Sequence, residues 1–192
     1  MNERYFLGEG RFTKRDNVIK MALEEALSLI ERKTDLGKIS LYLSKAISTI
    51  HHWDESLFRK RTASEIICSK KSNGCSDYGL VFLTLARELG VPSKYVETIE
   101  EKNLSNPLVP NISGHIFADI FIDGQWKIYE PIGGFQNSYC LGKMGERKFI
   151  PVARGLDFSN LLSNEGKKIK LDTLSKVRAI RNNLSKSFNQ QI

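Results

Sequence analysis

Ser72-Asn73-Gly74-Cys75-Ser76-Asp77-Tyr78-Gly79 runs without a break into Leu80-Val81-Phe82-Leu83-Thr84-Leu85-Ala86-Arg87-Glu88-Leu89-Gly90. The second half is apolar nearly all round, which predicts a buried helix, not a surface one. Gly90 and Pro92 supply its stop. Its start falls near Asn73 or Gly74, so Cys75 lies in the first turn. Unpaired N–H groups and the positive end of the helix dipole favour a thiolate there over a thiol. Gly79, four residues on, leaves the face above Cys75 bare, so another element can come close to the sulfur. A lone cysteine is more often a small buried filler than a nucleophile. The helix start and the bare face weigh towards chemistry, and a partner histidine would add to them.

Around this helix the 192-residue chain reads as one α+β domain with enough length for a full core. Its 41% hydrophobic and 27% charged residues are ordinary globular proportions, which argues against a disordered or fibrous chain. No run approaches the roughly 18 apolar residues of a membrane span. Met1-Asn2-Glu3-Arg4-Tyr5-Phe6-Leu7 has no apolar core of a signal peptide. Cys68, Cys75 and Cys140 are three in number and unpaired in spacing. That predicts free thiols in a reducing, cytoplasmic setting. The net charge of +7 comes without an Arg/aromatic binding motif, so nucleic acid is not the expected partner.

Upstream, Asp16 is placed to cap a helix with Val18, Ile19, Ala22, Leu23, Ala26, Leu27 and Ile30 on one face. Thr34-Asp35-Leu36-Gly37 breaks it. A second helix carries Ile39, Tyr42, Leu43, Ala46, Ile47 and Ile50, and the two form a packing layer. His51 and His52 are adjacent, point to different faces and do not suggest a shared metal. Thr62-Ala63-Ser64-Glu65 has capping-box spacing, so a short helix precedes the Cys75 loop. Downstream, Lys94 to Ile99 reads as a strand. Glu100 to Gly114 is a long polar loop with Pro107 and Pro110, of a length that is often functional. Residues 147 to 153 could form another strand, and Ile169 to Phe188 a basic helix, giving 165–192 as a C-terminal helical extension.

His115 to Ile122 and Gln125 to Glu130 are two β-rich runs joined by Asp123-Gly124, a strong hairpin signal. A two-residue turn there sets Ile122 opposite Gln125, Phe121 opposite Trp126, and Phe117 opposite Glu130. His115 shares the face of Phe117, so His115 and Glu130 become diagonal neighbours about 7–8 Å apart at Cα. A carboxylate that accepts from one imidazole nitrogen fixes the tautomer and stabilises the imidazolium formed when the other nitrogen takes a proton. A nucleophilic Cys needs such a base. The plainer reading keeps His115 and Glu130 as ordinary strand-end polar residues. Asp119 shares the face but lies roughly 13 Å along the strand, too far to orient His115. Asp77 points away from Cys75 and suits support of the helix start.

These residues together resemble the transglutaminase-like superfamily of papain-like cysteine enzymes. The resemblance rests on Asn73-Gly74-Cys75-Ser76-Asp77-Tyr78 opening a helix that ends Leu89-Gly90-Val91-Pro92. It rests equally on Gly114-His115 opening a strand, then Asp123-Gly124-Gln125-Trp126 and Tyr129-Glu130-Pro131. It covers about residues 61 to 135. It implies a papain-like core with the nucleophile helix packed on an antiparallel sheet and extra N- and C-terminal helices. It also implies Cys75 as nucleophile, His115 as base and acid, and Glu130 as the orienting carboxylate. The family usually has Asp in that last place; the longer Glu suits a diagonal pair. The implied chemistry is acyl transfer at an amide bond of a peptide or protein substrate, with no metal or organic cofactor. The acceptor stays open: water for a peptidase, amidase or deamidase, an amine for a transglutaminase. The oxyanion would meet the Cys75 backbone N–H and a side-chain donor, for which Trp53 and Asn73 are candidates. A catalytically silent binding module that uses the 100–114 loop and the basic C-terminal tail to hold a protein or peptide partner is the alternative.

Overall fold

The computed structural model describes residues 3–30, 34–49, 54–102, 113–137 and 141–163. Trp53, His51, His52, Cys140, most of the 100–114 loop and the basic 165–192 segment lie outside them. Four helices and nine strands are present among the described residues. The helices are α1 (Asn17–Ser28), α2 (Asp35–Ala46), α3 (Ala63–Ser69) and α4 (Cys75–Glu88). The strands are β1 (Ser48–Thr49), β2 (Lys71–Ser72), β3 (Ser93–Glu100), β4 (Gly114–Ile122), β5 (Gln125–Glu130), β6 (Phe135–Asn137), β7 (Gly142–Met144), β8 (Arg147–Gly155) and β9 (Leu162–Ser163).

Local chemistry sets the helix starts. Asp16 accepts from the Ile19 N–H at 3.1 Å and caps α1. Thr62 and Glu65 close the predicted capping box on α3. Thr34 opens α2, so the predicted break over Thr34-Asp35-Leu36-Gly37 is instead the start of the second helix. The Thr34 hydroxyl accepts from the Gly37 N–H at 3.1 Å, so it caps α2, and Asp35, Leu36 and Gly37 already form the first turn. A cap and a break draw on the same residue types, because both end the preceding helical path.

Six strands lie in the order β6-β5-β4-β3-β8-β7, with β9 added to β8, and every pairing is antiparallel. β1 and β2 pair separately and in parallel. The β4–β5 hairpin has the register expected of a two-residue turn, from Ile122 opposite Gln125 back to Ala118 opposite Tyr129. Asp123 (φ 53°) and Gly124 (φ 72°) both take positive φ, as a type I′ turn requires. The sheet ends of β6, β7 and β9 are too short to have shown a period in the sequence.

α4 is the hub. Every residue from Ser76 to Arg87 is buried. Its side chains join those of α1, α2, α3 and one sheet face in a single apolar cluster, including Leu80, Phe82, Tyr95, Ile116, Ala118 and Ile120. The opposite sheet face carries a second, small cluster of Val96, Phe117, Ile128 and Phe149. β7 closes over it, since a Cβ on Gly142 would lie 2.7 Å from the Phe117 ring. The buried Arg87 ties the helix's far end to the sheet, donating to the Ser93 carbonyl at 2.6 Å and to the Leu156 carbonyl at 2.7 Å. Burial holds its pKa down, to about 9.

Candidate active site

Gly74 caps α4 with φ 102°, a conformation open to glycine and costly to other residues, and so Cys75 becomes the first helical residue. Its own N–H and that of Ser76 belong to the first turn, where no carbonyl precedes them to accept. Two contacts lock the approach to this turn. The Asp77 carboxylate accepts from the Asn73 N–H at 2.8 Å and forms a buried ion pair with Arg61. The Ser72 hydroxyl accepts from the Gly74 N–H at 3.0 Å. Asp77 therefore supports the helix start, as its spacing suggested.

The bare face above Cys75 is filled by β4. A Cβ on Gly79 would lie 2.4 Å from Ile116 Cγ2, so only glycine admits this strand so close. His115 precedes Ile116 and points to the other sheet face, its ring packed edge-on to Phe117 at 4.9 Å and against Phe149 at 5.6 Å. The thiol and the imidazole meet at the end of the sheet where α4 and β4 both begin. The Cys75 side chain acts on the ring, raising its pKa.

The third group arrives from β5. Its register runs on past Ala118 and Tyr129 to set Glu130 near His115, and His115 Nε2 lies 3.0 Å from Glu130 Oε1. The other Glu130 oxygen accepts from the Gly133 N–H, while the Gly134 N–H donates to the Glu130 carbonyl at 3.0 Å. The tight turn after Pro131 thus grips the carboxylate from behind. With Nε2 engaged, Nδ1 is the ring atom left for the thiol. Burial disfavours a charged ring here. Cys75 and the hydrogen-bonded Glu130 more than offset it and lift the His115 pKa from 6.5 to about 9. At neutral pH the ring is an imidazolium held between two potential anions.

The remaining sequence candidates divide. Trp53 lies outside the described residues. The Asn73 amide is committed elsewhere: it donates to the Asp54 carbonyl at 2.7 Å and accepts from the Asp54 N–H at 3.1 Å. It therefore pins residues that follow Trp53 to the Cys75 loop. Asp119 sits apart on Arg154 at 2.7 Å, fully buried, its pKa pushed up by burial to about 6 despite Arg154 and Lys94. Among the described residues no His, Cys, Asp or Glu cluster could hold a metal ion. No described helix is long and apolar enough to cross a membrane.

One set of residues escaped the sequence reading. Tyr95 donates to or accepts from Ser76 at 2.7 Å between hydroxyls, and Glu97, two residues along the same face of β3, pairs with Arg59 at 2.6 Å. Arg59 stands in Phe58-Arg59-Lys60-Arg61, which reads as a solvated charge run. The available signal was Glu97, a carboxylate at a position facing the core between Tyr95 and Ile99.

Comparison with known proteins agrees with this fold. The family model of the transglutaminase-like superfamily core matches residues 31–131, just over half of the chain. No curated protein matches the chain significantly in sequence. In fold, the chain is similar to a protein of Cytophaga hutchinsonii, itself a proposed cysteine protease, with a TM-score of 0.58 and 19% identity. The match covers 81% of this chain and 47% of the other, so the chain spans about half the length of that protein.

Proposed function

Since the chain belongs to the transglutaminase-like superfamily, we propose that it is a thiol-dependent enzyme that cleaves an amide bond of a peptide or protein through Cys75, His115 and Glu130. The observation that carries this reading is the His115 ring, hydrogen-bonded to Glu130 at 3.0 Å at the end of the sheet where Cys75 opens α4, with the Cys75 side chain raising the ring's pKa.

The chemistry follows from that arrangement. The Cys75 thiolate attacks the amide carbonyl carbon, forming a C–S bond and an oxyanion. The first-turn N–H groups of α4 point to where that charge develops. His115, already an imidazolium, gives its Nδ1 proton to the amide nitrogen as the C–N bond breaks, and an amine leaves. The thioester remains. Neutral His115 then takes a proton from water as its oxygen attacks the thioester carbon; the C–S bond breaks, a carboxylic acid leaves and the thiolate–imidazolium pair returns. Glu130 holds the ring's tautomer and its positive charge throughout. Water is preferred to an amine as acceptor because no further group is needed to recognise it.

The test is incubation with a mixture of unfolded proteins, followed by mass spectrometry, with and without a fluorescent primary amine. Expected are new α-amino termini or side-chain deamidation, both lost in Cys75→Ser. Incorporation of the amine in place of hydrolysis would overturn the choice of acceptor. An absence of any Cys75-dependent product, with the fold intact, would favour the silent binding module.

A further inference from the structure

Residues 54–61 lie across the start of α4, fastened at both ends. Asp54 is held by the Asn73 amide through two hydrogen bonds, and Arg61 by the buried Asp77 carboxylate. Between these anchors Arg59 takes a left-handed backbone, φ 56°, uncommon for a side chain of its size. The turn carries the side chain inward: it is 8% exposed and its Nη2 meets Glu97 Oε1 at 2.6 Å. Glu97 shares its strand face with Tyr95, whose hydroxyl bonds Ser76, the residue next to Cys75. Its cross-strand neighbour is Ile116, which abuts Gly79. The Arg59–Glu97 pair therefore lies on the sheet face that packs against the first turn of α4. Its pairing is incomplete, since Arg59 Nε and Glu97 Oε2 are buried without a hydrogen-bond partner among the described residues.

A strained backbone, an inward turn and a half-satisfied ion pair are a costly way to attach a surface segment. Two methyl-bearing side chains would fill the same space without burying charge. We propose that Arg59, held by Glu97, is a positioning residue that places a fixed positive charge beside the Cys75 sulfur and so keeps it as the reactive thiolate. This rests on the reading of Cys75 as the nucleophile. Burial works against the charge on Arg59, while Tyr95, Glu97 and Cys75 act the other way, so that its pKa is raised overall. The charge is permanent where that of His115 is not. During turnover His115 gives up its proton, while Arg59 stays charged, as does Arg147, held by Glu100, the other arginine whose charge Cys75 favours.

The test is the rate of Cys75 alkylation by iodoacetamide against pH, read by peptide mapping, with the exposed Cys68 as an internal free thiol. Arg59→Gln should move the Cys75 midpoint up by about one unit, a roughly tenfold slower reaction on the acid side. Arg59→Lys keeps the charge and loses the fork geometry, so it should lose thermal stability as Arg59→Gln does while its midpoint stays near that of the unaltered protein. A structural role alone would move both variants alike. If Arg59→Gln fails to fold because Glu97 is left buried and unpaired, Arg59→Gln/Glu97→Gln keeps the interior neutral. Its midpoint should then lie above that of the unaltered protein. Equal midpoints in the unaltered and neutral variants overturn the role of Arg59 and leave the thiol assignment standing. A Cys75 midpoint equal to that of Cys68 in the unaltered protein overturns the assignment itself.

Discussion

Glu130 tests at the scale of one residue whether the carboxylate orients the ring or merely neighbours it. Glu130→Gln keeps the size and can still accept from the Gly133 N–H, so the fold should hold. The amide no longer stabilises the imidazolium and permits the wrong tautomer. Turnover should drop by two or more orders of magnitude. A second readout follows from proton linkage. The His115 pKa is raised from 6.5 to about 9 in the folded chain. Its contribution to stability is thus fully present below pH 6.5 and is lost as pH rises through about 9. Melting temperature against pH should show that decline, and Glu130→Gln should shrink it and move it to lower pH. Unchanged turnover together with an unchanged decline would make Glu130 a bystander.

Between elements, the contact that matters is α4 against β4 at Gly79. Gly79→Ala puts a methyl 2.4 Å from Ile116 Cγ2, and a β-branched side chain on a buried strand has little room to yield. The expected cost is about 1–3 kcal/mol of overpacking, a fall of several degrees in melting temperature for a chain of this size. Because His115 adjoins Ile116, turnover should fall as well. A neutral Gly79→Ala variant would show that the two elements are not closely fitted. The same junction shows how far the sequence could be read. The bare glycine face, the helix start at Cys75 and the Asp123-Gly124 hairpin register are local signals, and together they placed Cys75, His115 and Glu130 in one site. The Arg59–Glu97 pair was not legible, because a charge run turned inward by one left-handed residue looks like any solvated loop. The tie between Asn73 and Asp54 was not legible either, since only the folded chain brings the two together. β6, β7 and β9 were missed because strands of two or three residues have no period, and the sheet they extend recruits them.

At the scale of the whole molecule, the segment between β3 and β4 runs into His115 and is a candidate substrate rim. Its base is closed: the Glu100 N–H donates to the Ser113 carbonyl at 3.0 Å and the Glu101 N–H to the Lys148 carbonyl at 2.8 Å. Glu100 is further held by Arg147 at 2.9 Å, and its carboxylate is drawn down to a pKa of about 2, chiefly by that bond. Replacing residues 102–111 with a short Gly/Ser connection should therefore leave thermal stability nearly unchanged, because loop length alters closure entropy slowly. Alkylation of Cys75 by small reagents should persist, and cleavage of protein substrates should fall. Unfolding of the shortened chain, or full activity on proteins, would show that the loop is not a substrate rim. The central claim, that one thiol of this chain is set apart by the fold, is tested most directly by competition among its three cysteines. The folded protein is given less than one equivalent of iodoacetamide at pH 6.5, quenched early and mapped by mass spectrometry, beside the His115→Ala variant. The account predicts Cys75 labelled at least tenfold ahead of Cys68 and Cys140, and that lead lost without His115. Equal labelling of the three, or a lead for Cys75 that survives His115→Ala undiminished, would contradict it.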